Sequence, residues 1–459
     1  MIGVTTFAQK PVLVFGLGGS GLATALALVK GGAQVLAYDD SEERVKTAND
    51  EGIKTADFRD VDFSSYDALI LSPGVPLTHP EPHWSVKKAH AAGIEIIGDV
   101  ELFNRERLAV APESHFIAIT GTNGKSTTTA LIAHVLAHGG LDVQMGGNIG
   151  RAVLTLDALT DDKTYVVECS SYQIDLAPTL NPSIGVHLNL SADHLDRHGT
   201  VENYADVKSR LVLGADHAVV GVDDELSLKI SNQVEARGVS LERVSVLGAG
   251  DTTVAGSSIL ANGEPVVDVA GIGSLRGQHN LQNAAFAYAV CRKAGLSDDD
   301  ISAGFSSFPG LAHRMEQVAM RDGVVFINDS KATNADAVAH ALASFDQIYW
   351  ILGGLAKEGG IESLEEFFPK ITHAFMVGDA ADGFAKVLEG KVAYSQCGTI
   401  ERAAAEAAEM ALSGAVGDEK GDNQTVAVLL SPACASWDQF SSFEKRGDAF
   451  KEALHLALK

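Results

Sequence analysis

The chain is poor in cysteine, in positive charge and in long apolar runs. Four cysteines occur in 459 residues, Cys169, Cys291, Cys397 and Cys434, far apart and without a C-x-x-C pair. That spacing argues against a disulfide scaffold or a zinc ribbon and suits a reducing compartment. Lys and Arg number 35 against 60 Asp and Glu, a net charge of −25. A nucleic-acid partner requires a basic face, and so does an anionic membrane surface, so both are disfavoured. An anionic small molecule is still allowed, because a local pocket of Lys, Arg or Mg²⁺ can outweigh an acidic shell. No apolar run has the length to span a bilayer, and the N-terminus lacks a basic segment followed by a long apolar stretch and a cleavage site. The expectation is a soluble, cytoplasmic monomer. Repeats and low-complexity tracts are missing too.

What is present is material for several cores. Hydrophobic residues make up 46% and charged residues 21%, and the length implies about two to four domains. Strand-like and helix-like patterns alternate throughout, which predicts α/β layers with largely parallel sheets. The first unit opens with a strand at Val12–Phe15, a helix over about Ser20–Lys30 and a strand at Gln34–Tyr38, with further strands near Ala68–Leu71 and Glu95–Ile97. The polar stretch Asn104–Ser114, with Pro112, reads as a linker. A second unit starts at Phe116, with strands at Tyr165–Glu168 and Ile184–Leu190. Leu241–Gly277 reads as small antiparallel strands at its edge, and Asn280–Ala294 as an amphipathic helix. Phe308-Pro309-Gly310 is a hinge candidate. A third unit holds strands at Val324–Ile327, Ile348–Leu352 and Thr425–Leu430, helices at Ala335–Ser344 and Ala403–Leu412, and a solvated loop at Gly417–Asp422. The fold expected is three α/β domains: a Rossmann-like one over residues 1–107, a central P-loop-type mononucleotide-binding one over 108–309, and a Rossmann-like one over 310–459.

The most informative run is Gly121-Thr122-Asn123-Gly124-Lys125-Ser126-Thr127. It follows an apolar strand and opens a helix. In that setting free backbone N–H groups and the helix dipole cradle phosphate oxygens, Lys125 reaches the β- and γ-phosphates, and Ser126 or Thr127 can ligate Mg²⁺. It is a shortened phosphate loop, since Ile119 stands where a strict P-loop needs Gly. A second Gly turn, Gly16-Leu17-Gly18-Gly19-Ser20-Gly21, matches G-x-G-x-x-G between strand and helix, and Asp39 ends the next strand. Read alone it suggests NAD. The same turn would bind any diphosphate, that of a nucleotide-sugar included. Ser72-Pro73-Gly74-Val75 ends another strand and could reach the same ligand or be a plain turn.

Other residues invite chemistry with alternatives open. Glu168 ends an apolar strand, where a carboxylate is costly unless paired with a cation or bound to metal. His194 and His198 are four apart, which suggests zinc, but no third or fourth ligand is evident. Lys208 lies in the helical stretch Tyr204–Leu213, where a Lys is ordinarily solvated.

Further motifs follow in one order: Gly146-Gly147-Asn148-Ile149-Gly150, Glu168-Cys169-Ser170-Ser171-Tyr172-Gln173, Asp193-His194-Leu195-Asp196-Arg197, Lys208, His279-Asn280-Leu281-Gln282-Asn283, His313-Arg314-Met315-Glu316, Asn328-Asp329-Ser330-Lys331-Ala332-Thr333-Asn334 and Ser431-Pro432-Ala433-Cys434-Ala435-Ser436. Together they resemble the Mur ligase family over nearly the whole chain. The resemblance implies an ATP-dependent acid–amino-acid ligase of bacterial peptidoglycan precursor synthesis. The first domain and the final block point to the member that adds D-glutamate to UDP-N-acetylmuramoyl-L-alanine through an acyl phosphate.

The resemblance also implies a site. Lys125, Glu168, His194 and Lys208 are its catalytic residues. Ser126, Thr127, Glu168, His194 and a Lys208 carbamylated by CO₂ hold two Mg²⁺. Gly121, Thr122, Asn123, Gly124, Asn280, Asn283, His313, Arg314, Asp329 and Lys331 complete the ATP site. Gly19, Ser20, Asp39, Asp40, Ser41, Ser72, Asn148, Gln173 and His194 take the UDP-sugar, and Thr333, Lys357, Ser436 and Phe443 take D-glutamate. One departure stands out: Asp40-Ser41 follows Asp39 where the family pattern has a hydroxyl and then a basic residue, so Asp40 brings no cation to the uracil side. The alternatives are a family member with another amino acid, an NAD-dependent oxidoreductase, and a non-catalytic nucleotide sensor.

Overall fold

A computed structural model describes residues 1–356, 360–415 and 425–459. Lys357 and the loop expected at Gly417–Asp422 lie outside them. The chain forms two compact units, Met1–Ala270 with Asn280–Ser307, and Gly271–His279 with Phe308–Lys459.

The first unit holds two sheets. One consists of β1 (Pro11–Phe15), β2 (Gln34–Tyr38), β3 (Ala68–Leu71) and β4 (Glu95–Ile97), all parallel in the order β2-β1-β3-β4. Its helices are α1 (Gly19–Lys30), α2 (Glu42–Asp50), α3 (Trp84–Ala92) and α4 (Asp99–Val110). The order reverses between β1 and β3, so their C-terminal ends open a crevice of the kind that takes ligands in such sheets. The Gly16–Gly21 turn and the Ser72–Val75 turn lie there. Gly16 takes φ +92°, and a Cβ on it would lie 2.6 Å from the Ser72 Cβ, so only glycine lets the two turns come this close.

The second sheet has β5 (His115–Thr120), β6 (Asp142–Gly147), β7 (Lys163–Glu168), β8 (Ile184–His187), β9 (His217–Gly221), β10 (Ser240–Ser245), β11 (Thr252–Ala255), β12 (Ser258–Ala261) and β13 (Glu264–Asp268). The order is β13-β12-β11-β10-β9-β8-β5-β7-β6. Its helices are α5 (Lys125–His138), α6 (Ser171–Asp175), α7 (Leu195–His198), α8 (Val201–Leu213), α9 (Glu225–Ala236), α10 (Gln278–Lys293) and α11 (Asp298–Ser307). Only β11, β12 and β13 pair antiparallel, while β10 runs parallel to β9 and β11. The antiparallel edge expected from Leu241 therefore begins one strand later. α10 is not one-faced: Leu281 and every residue from Asn283 to Cys291 is buried, because Ala and Cys let neighbours close around it.

The stretch expected to be a linker is largely helix. α4 continues to Val110, and Asn104, Glu106 and Arg107 are buried in it. Their polar groups are spent on neighbours. Glu106 accepts from the N–H groups of Thr5 (2.8 Å) and Thr6 (3.0 Å), Asn104 Nδ2 donates to Thr179 O (2.9 Å), and Arg107 Nη2 donates to Asn181 O (2.9 Å). The domain boundary expected after residue 107 thus falls inside a helix. One apolar core runs through both sheets, from Val12 and Val14 past Phe103 to Phe116 and Tyr165.

The second unit holds β14 (Glu316–Arg321), β15 (Val324–Asn328), β16 (Gln347–Gly353), β17 (Ile371–Val377), β18 (Tyr394–Gly398) and β19 (Val426–Leu430), ordered β14-β15-β19-β16-β17-β18 and parallel except for β14. α12 (Ala335–Ala343), α13 (Ala381–Leu388), α14 (Ile400–Ala415) and α15 (Phe443–Ala457) flank it. Apolar clusters form on both faces, as a covered parallel sheet requires. Among the described residues no helix is long and apolar enough to cross a membrane.

Candidate active site

The phosphate loop is built as its spacing demands. β5 is buried from Phe116 to Thr120, and the chain then turns through Gly121–Gly124 into α5. Gly124 takes φ +82° as the N-cap residue, and a Cβ there would run into Asn283 Oδ1. The first turn of α5 leaves N–H groups for an anion. Asn189, just past β8, fixes the loop: Thr122 N donates to its carbonyl (3.0 Å) and Asn123 N to its Oδ1 (2.9 Å). The Lys125 ammonium donates to the carbonyls of Gly121 (3.0 Å) and Thr122 (2.8 Å). Ser126 is buried and Thr127 half-buried in the first turn. Asn283 accepts from Thr128 Oγ1 (3.1 Å) and donates to Asn280 Oδ1 (3.2 Å), so both amides border the start of α5.

Glu168 ends β7 in the register position paired with Ile119 of β5. It is 2% exposed. Its Oε1 accepts from Asn148 Nδ2 (2.9 Å), whereas its Oε2 is buried with no protein donor. An orphaned carboxylate oxygen beside a phosphate loop fits a divalent cation. Among the described residues, no group of three or more His, Cys, Asp or Glu could by itself hold a metal ion, so any such ion would also need hydroxyl, phosphate or modified ligands.

Lys208 is 1% exposed on α8, and its ammonium donates to Thr120 Oγ1 (3.1 Å) and Gly121 O (2.7 Å). Burial first, and then the charge of Lys125, push its pKa well below the usual amine range, against the pull of Asp193, Cys169 and Glu168. The four groups Lys125, Asp193, Glu168 and Lys208 therefore form one electrostatic cluster at the C-terminal ends of β5 and β7. His194 takes φ +52° at the head of α7, half-exposed, with Nε2 3.4 Å from Asp193 Oδ2 and its ring 5.1 Å from that of Tyr172. His198 is buried, shares a hydrogen bond with Ser171 Oγ (2.9 Å) and stacks on Tyr172, which does not support a zinc pair with His194.

Of the residues expected at the UDP-sugar, Gly19, Ser20, Asp39, Asp40, Ser41 and Ser72 lie at the strand ends of the first sheet, whereas Asn148, Gln173 and His194 stand on elements of the second sheet. Gly19 and Ser20 open α1, and Ser72 follows β3. Asp39 is largely committed to the turn itself: its carboxylate accepts from Leu17 N (2.6 Å) and Ser41 N (2.8 Å). Ser41 is the N-cap of α2. Gln173 is buried and spent on its own helix start, accepting from Ser170 N (3.1 Å) and donating toward Asp99 (3.3 Å).

In the second unit, the ends of β15, β19 and β16 bring together the other expected residues. Asp329 follows β15, and its carboxylate accepts from Met315 N (3.1 Å) and Ser431 Oγ (2.8 Å). Burial raises its pKa to about 7. His313 takes φ +63°, accepts at Nδ1 from Asn328 Nδ2 (3.0 Å) and meets the Phe443 ring edge-on, while Arg314 follows it. The Lys331 ammonium lies 3.9 Å from the Phe443 ring centroid. Thr333 is half-buried, and Ser436 is buried in the loop after β19.

Three arginines were given no role from sequence, although Arg197 and Arg446 stand in motifs that carry the family resemblance. Arg446, fully buried, donates to Ser330 Oγ (3.0 Å), Ser330 O (2.8 Å) and Cys434 O (3.0 Å), tying the Lys331 and Ser436 loops together. Arg197 donates to the carbonyls of Pro73 (3.3 Å), Gly74 (3.1 Å) and Val75 (3.0 Å) and lies over Tyr172, so the loop bearing His194 grips the turn after β3. Arg59 pairs with Asp40 (3.2 Å) and lies over Trp84. The motif position of Arg197 was a usable signal. Arg59 had none, since Asp40 and Trp84 are distant from it in sequence.

Family models match in three places: "Mur ligase MurD-like, N-terminal domain" over residues 10–98, "Mur ligase middle domain" over 119–291, and "Mur ligase, glutamate ligase domain" over 313–457. A UDP-N-acetylmuramoylalanine–D-glutamate ligase of Rhizobium johnstonii is 57% identical over 456 residues, covering 98% of this chain and 96% of that protein. One of the same name from Rhizobium meliloti is 58% identical, covering 98% and 97%. In fold, the chain is similar to the UDP-N-acetylmuramate-alanine ligase of Thermotoga maritima, with a TM-score of 0.59 at 18% identity over 98% of this chain and 100% of that one. A MurF ligase from the same organism, in complex with ADP, gives a TM-score of 0.56 at 16% identity over 98% and 97%. With relatives this similar along almost its entire length, the chain belongs to the Mur ligase family.

Proposed function

We propose that the protein is an ATP-dependent ligase that joins D-glutamate to UDP-N-acetylmuramoyl-L-alanine in the cytoplasm, acting as a three-domain monomer. The observation that carries the reading is the 57% identity, over nearly both full lengths, to a protein named for that activity. The site supports it. The phosphate loop receives ATP, with Lys125 offsetting charge on the phosphoryl oxygens. Asn280, Asn283, His313, Arg314, Asp329 and Lys331 hold the rest of the nucleotide. The acceptor's terminal carboxylate attacks the γ-phosphorus, the bond to the β-phosphate oxygen breaks, and ADP leaves. The D-glutamate amine then attacks the acyl carbon, loses a proton, and phosphate departs. A carboxylate is a poor electrophile, so activation as an acyl phosphate is what makes the amide bond accessible.

Glu168, Ser126, Thr127 and His194 are the residues that would hold Mg²⁺, which neutralises phosphate charge when bound. Lys208 suits carbamylation: a buried amine with a lowered pKa exposes the nucleophilic form that adds to CO₂ with loss of a proton, giving an anion in place of a cation. Thr333, Ser436 and Phe443, with Lys357 by the family resemblance alone, are the residues assigned to D-glutamate. The nicotinamide reading of the first Gly turn is set aside, since Asp39, which would take a ribose, instead braces that turn.

Phosphate release is the test, with ATP, Mg²⁺ and UDP-N-acetylmuramoyl-L-alanine, adding D-glutamate, L-glutamate, L-lysine or meso-diaminopimelate in turn. Release that requires D-glutamate is expected. Release with another amino acid moves the specificity, and none at all overturns the reading.

A further inference from the structure

The crevice of the first sheet has a direction. The turn after β3 is gripped by Arg197, next to His194 on the α7 loop, so the β3 side is the side of the chemistry. β2 lies on the other side of β1. A nucleotide-sugar whose diphosphate rests on the turn after β1, and whose acyl end reaches the phosphate loop, must therefore lay its nucleoside past the end of β2. Asp39 is committed there to Leu17 N and Ser41 N. What the end of β2 presents instead is Asp40 with Arg59 and His83.

Arg59 is held in place by several partners. Asp57 caps its N–H (2.9 Å) and Lys88 Nζ holds its carbonyl (2.8 Å). Its Nη1 donates to Tyr38 OH (2.9 Å) and contacts Asp57 (3.3 Å), its Nη2 donates to Asp40 Oδ1 (3.2 Å), and its guanidinium lies 4.7 Å from the Trp84 ring centroid. His83 Nε2 is 3.2 Å from Asp40 Oδ2. The Arg59 and Asp40 side chains are 54% and 47% exposed, so both keep faces for a ligand. The local cation that Asp40-Ser41 lacks is supplied from a turn 19 residues on.

Resting on the reading under Proposed function, we propose that Arg59, paired with Asp40 and backed by Trp84, is the specificity-determining residue for the uracil of the UDP-sugar. The pair sets an N–H donor beside a carboxylate acceptor. That is the complement of an imide edge, in which a C=O acceptor neighbours an N–H donor. Cytosine reverses the pattern, offering an acceptor ring nitrogen and an amino donor, and would set a lone pair against the carboxylate.

The test is calorimetric titration of the full chain with UDP, CDP and ATP. The wild type is expected to bind UDP more tightly than CDP. R59M, which removes the donors but keeps the chain length, should weaken UDP by about 10- to 100-fold, the worth of a hydrogen bond to a charged group, with ATP binding unchanged as the sign of an intact fold. D40N should narrow the gap between UDP and CDP. Equal UDP binding by R59M and wild type, or no preference for UDP in the wild type, overturns the inference and leaves the ligase reading standing. Failure of the wild type to bind UDP while it binds ATP overturns both.

Discussion

Replacing Arg446 by Met removes a cation buried at the junction of the loops bearing Lys331 and Ser436. The guanidinium satisfies Ser330 Oγ, Ser330 O and Cys434 O at 3.0, 2.8 and 3.0 Å. Methionine fills much of the volume and donates nothing. The two carbonyls are left buried, at about 1–3 kcal/mol each. Against this stands relief of desolvation, because burial has driven the Arg446 pKa down to about 10, which shows that the cation itself is unfavourable there. Replacing a complete buried ionic network with apolar groups can be neutral, but here only the donor is removed, so the penalty side wins. The expected net loss is about 2–4 kcal/mol. Urea unfolding of the second unit, followed through Trp350 and Trp437, should show the midpoint fall by about 1–2 M at a slope near 2 kcal/mol/M. Because Ser330 precedes Lys331 and Cys434 lies two residues before Ser436, KM for ATP and for D-glutamate should rise together. An unchanged or raised midpoint refutes the reasoning.

Other changes test other parts of the site. G124A forces a Cβ into the left-handed region, at about 1–2 kcal/mol, and against Asn283 Oδ1, so calorimetric ATP affinity should fall about tenfold or more; wild-type affinity would contradict the loop geometry. K208A should lose phosphate release, with no recovery in bicarbonate and partial recovery in a short carboxylic acid, and full activity without Lys208 would sink the carbamate. E168Q keeps a partner for Asn148 but deletes the anionic oxygen, so the Mg²⁺ needed for half-maximal phosphate release should rise by about tenfold or more; an unchanged Mg²⁺ response removes Glu168 from the metal site. Burial raises the folded pKa of Asp329 to about 7 from an ordinary value of 3.8. The fold therefore holds that proton more tightly than the unfolded chain does. Its contribution to stability is complete below pH 3.8 and lost as pH rises through about 7. D329N should flatten the decline in stability of the second unit between pH 4 and 7, and parallel pH profiles for both proteins would contradict it.

Local patterns were legible in the sequence because their physics is local. The strand–loop–helix around Gly124 and the paired Gly turns announce themselves through spacing and residue type, and the structure places them at the strand ends where an α/β sheet opens. α4 was misread because Asn104, Arg105, Glu106 and Arg107 look solvated. They are bonded to Thr5, Glu95, Thr179 and Asn181, which only the tertiary fold could reveal. Gly98 before Asp99 and Glu101, a helix start with acidic residues in its first turn, was the signal that could have shown it. Arg59 was invisible for a related reason: Tyr38 and Asp40 come to it from the end of β2 and Trp84 from the start of α3.

The polar cement of α4 also bears on how this enzyme can be cut up. Glu101 accepts from Thr179 N (3.1 Å) and Asn104 Oδ1 from Asn181 N (3.3 Å), while Ile2 N donates to Leu154 O (2.9 Å). A recombinant fragment ending near residue 107 would carry buried carboxylates and a raw apolar face into water, their partners left on the discarded piece. The first sheet and its helices are therefore not a detachable cartridge. The chain passes between the two compact units at Ala270/Gly271, His279/Asn280 and Ser307/Phe308, so a domain exchange that cuts at Ser307/Phe308 would also have to carry Gly271–His279 with the later unit.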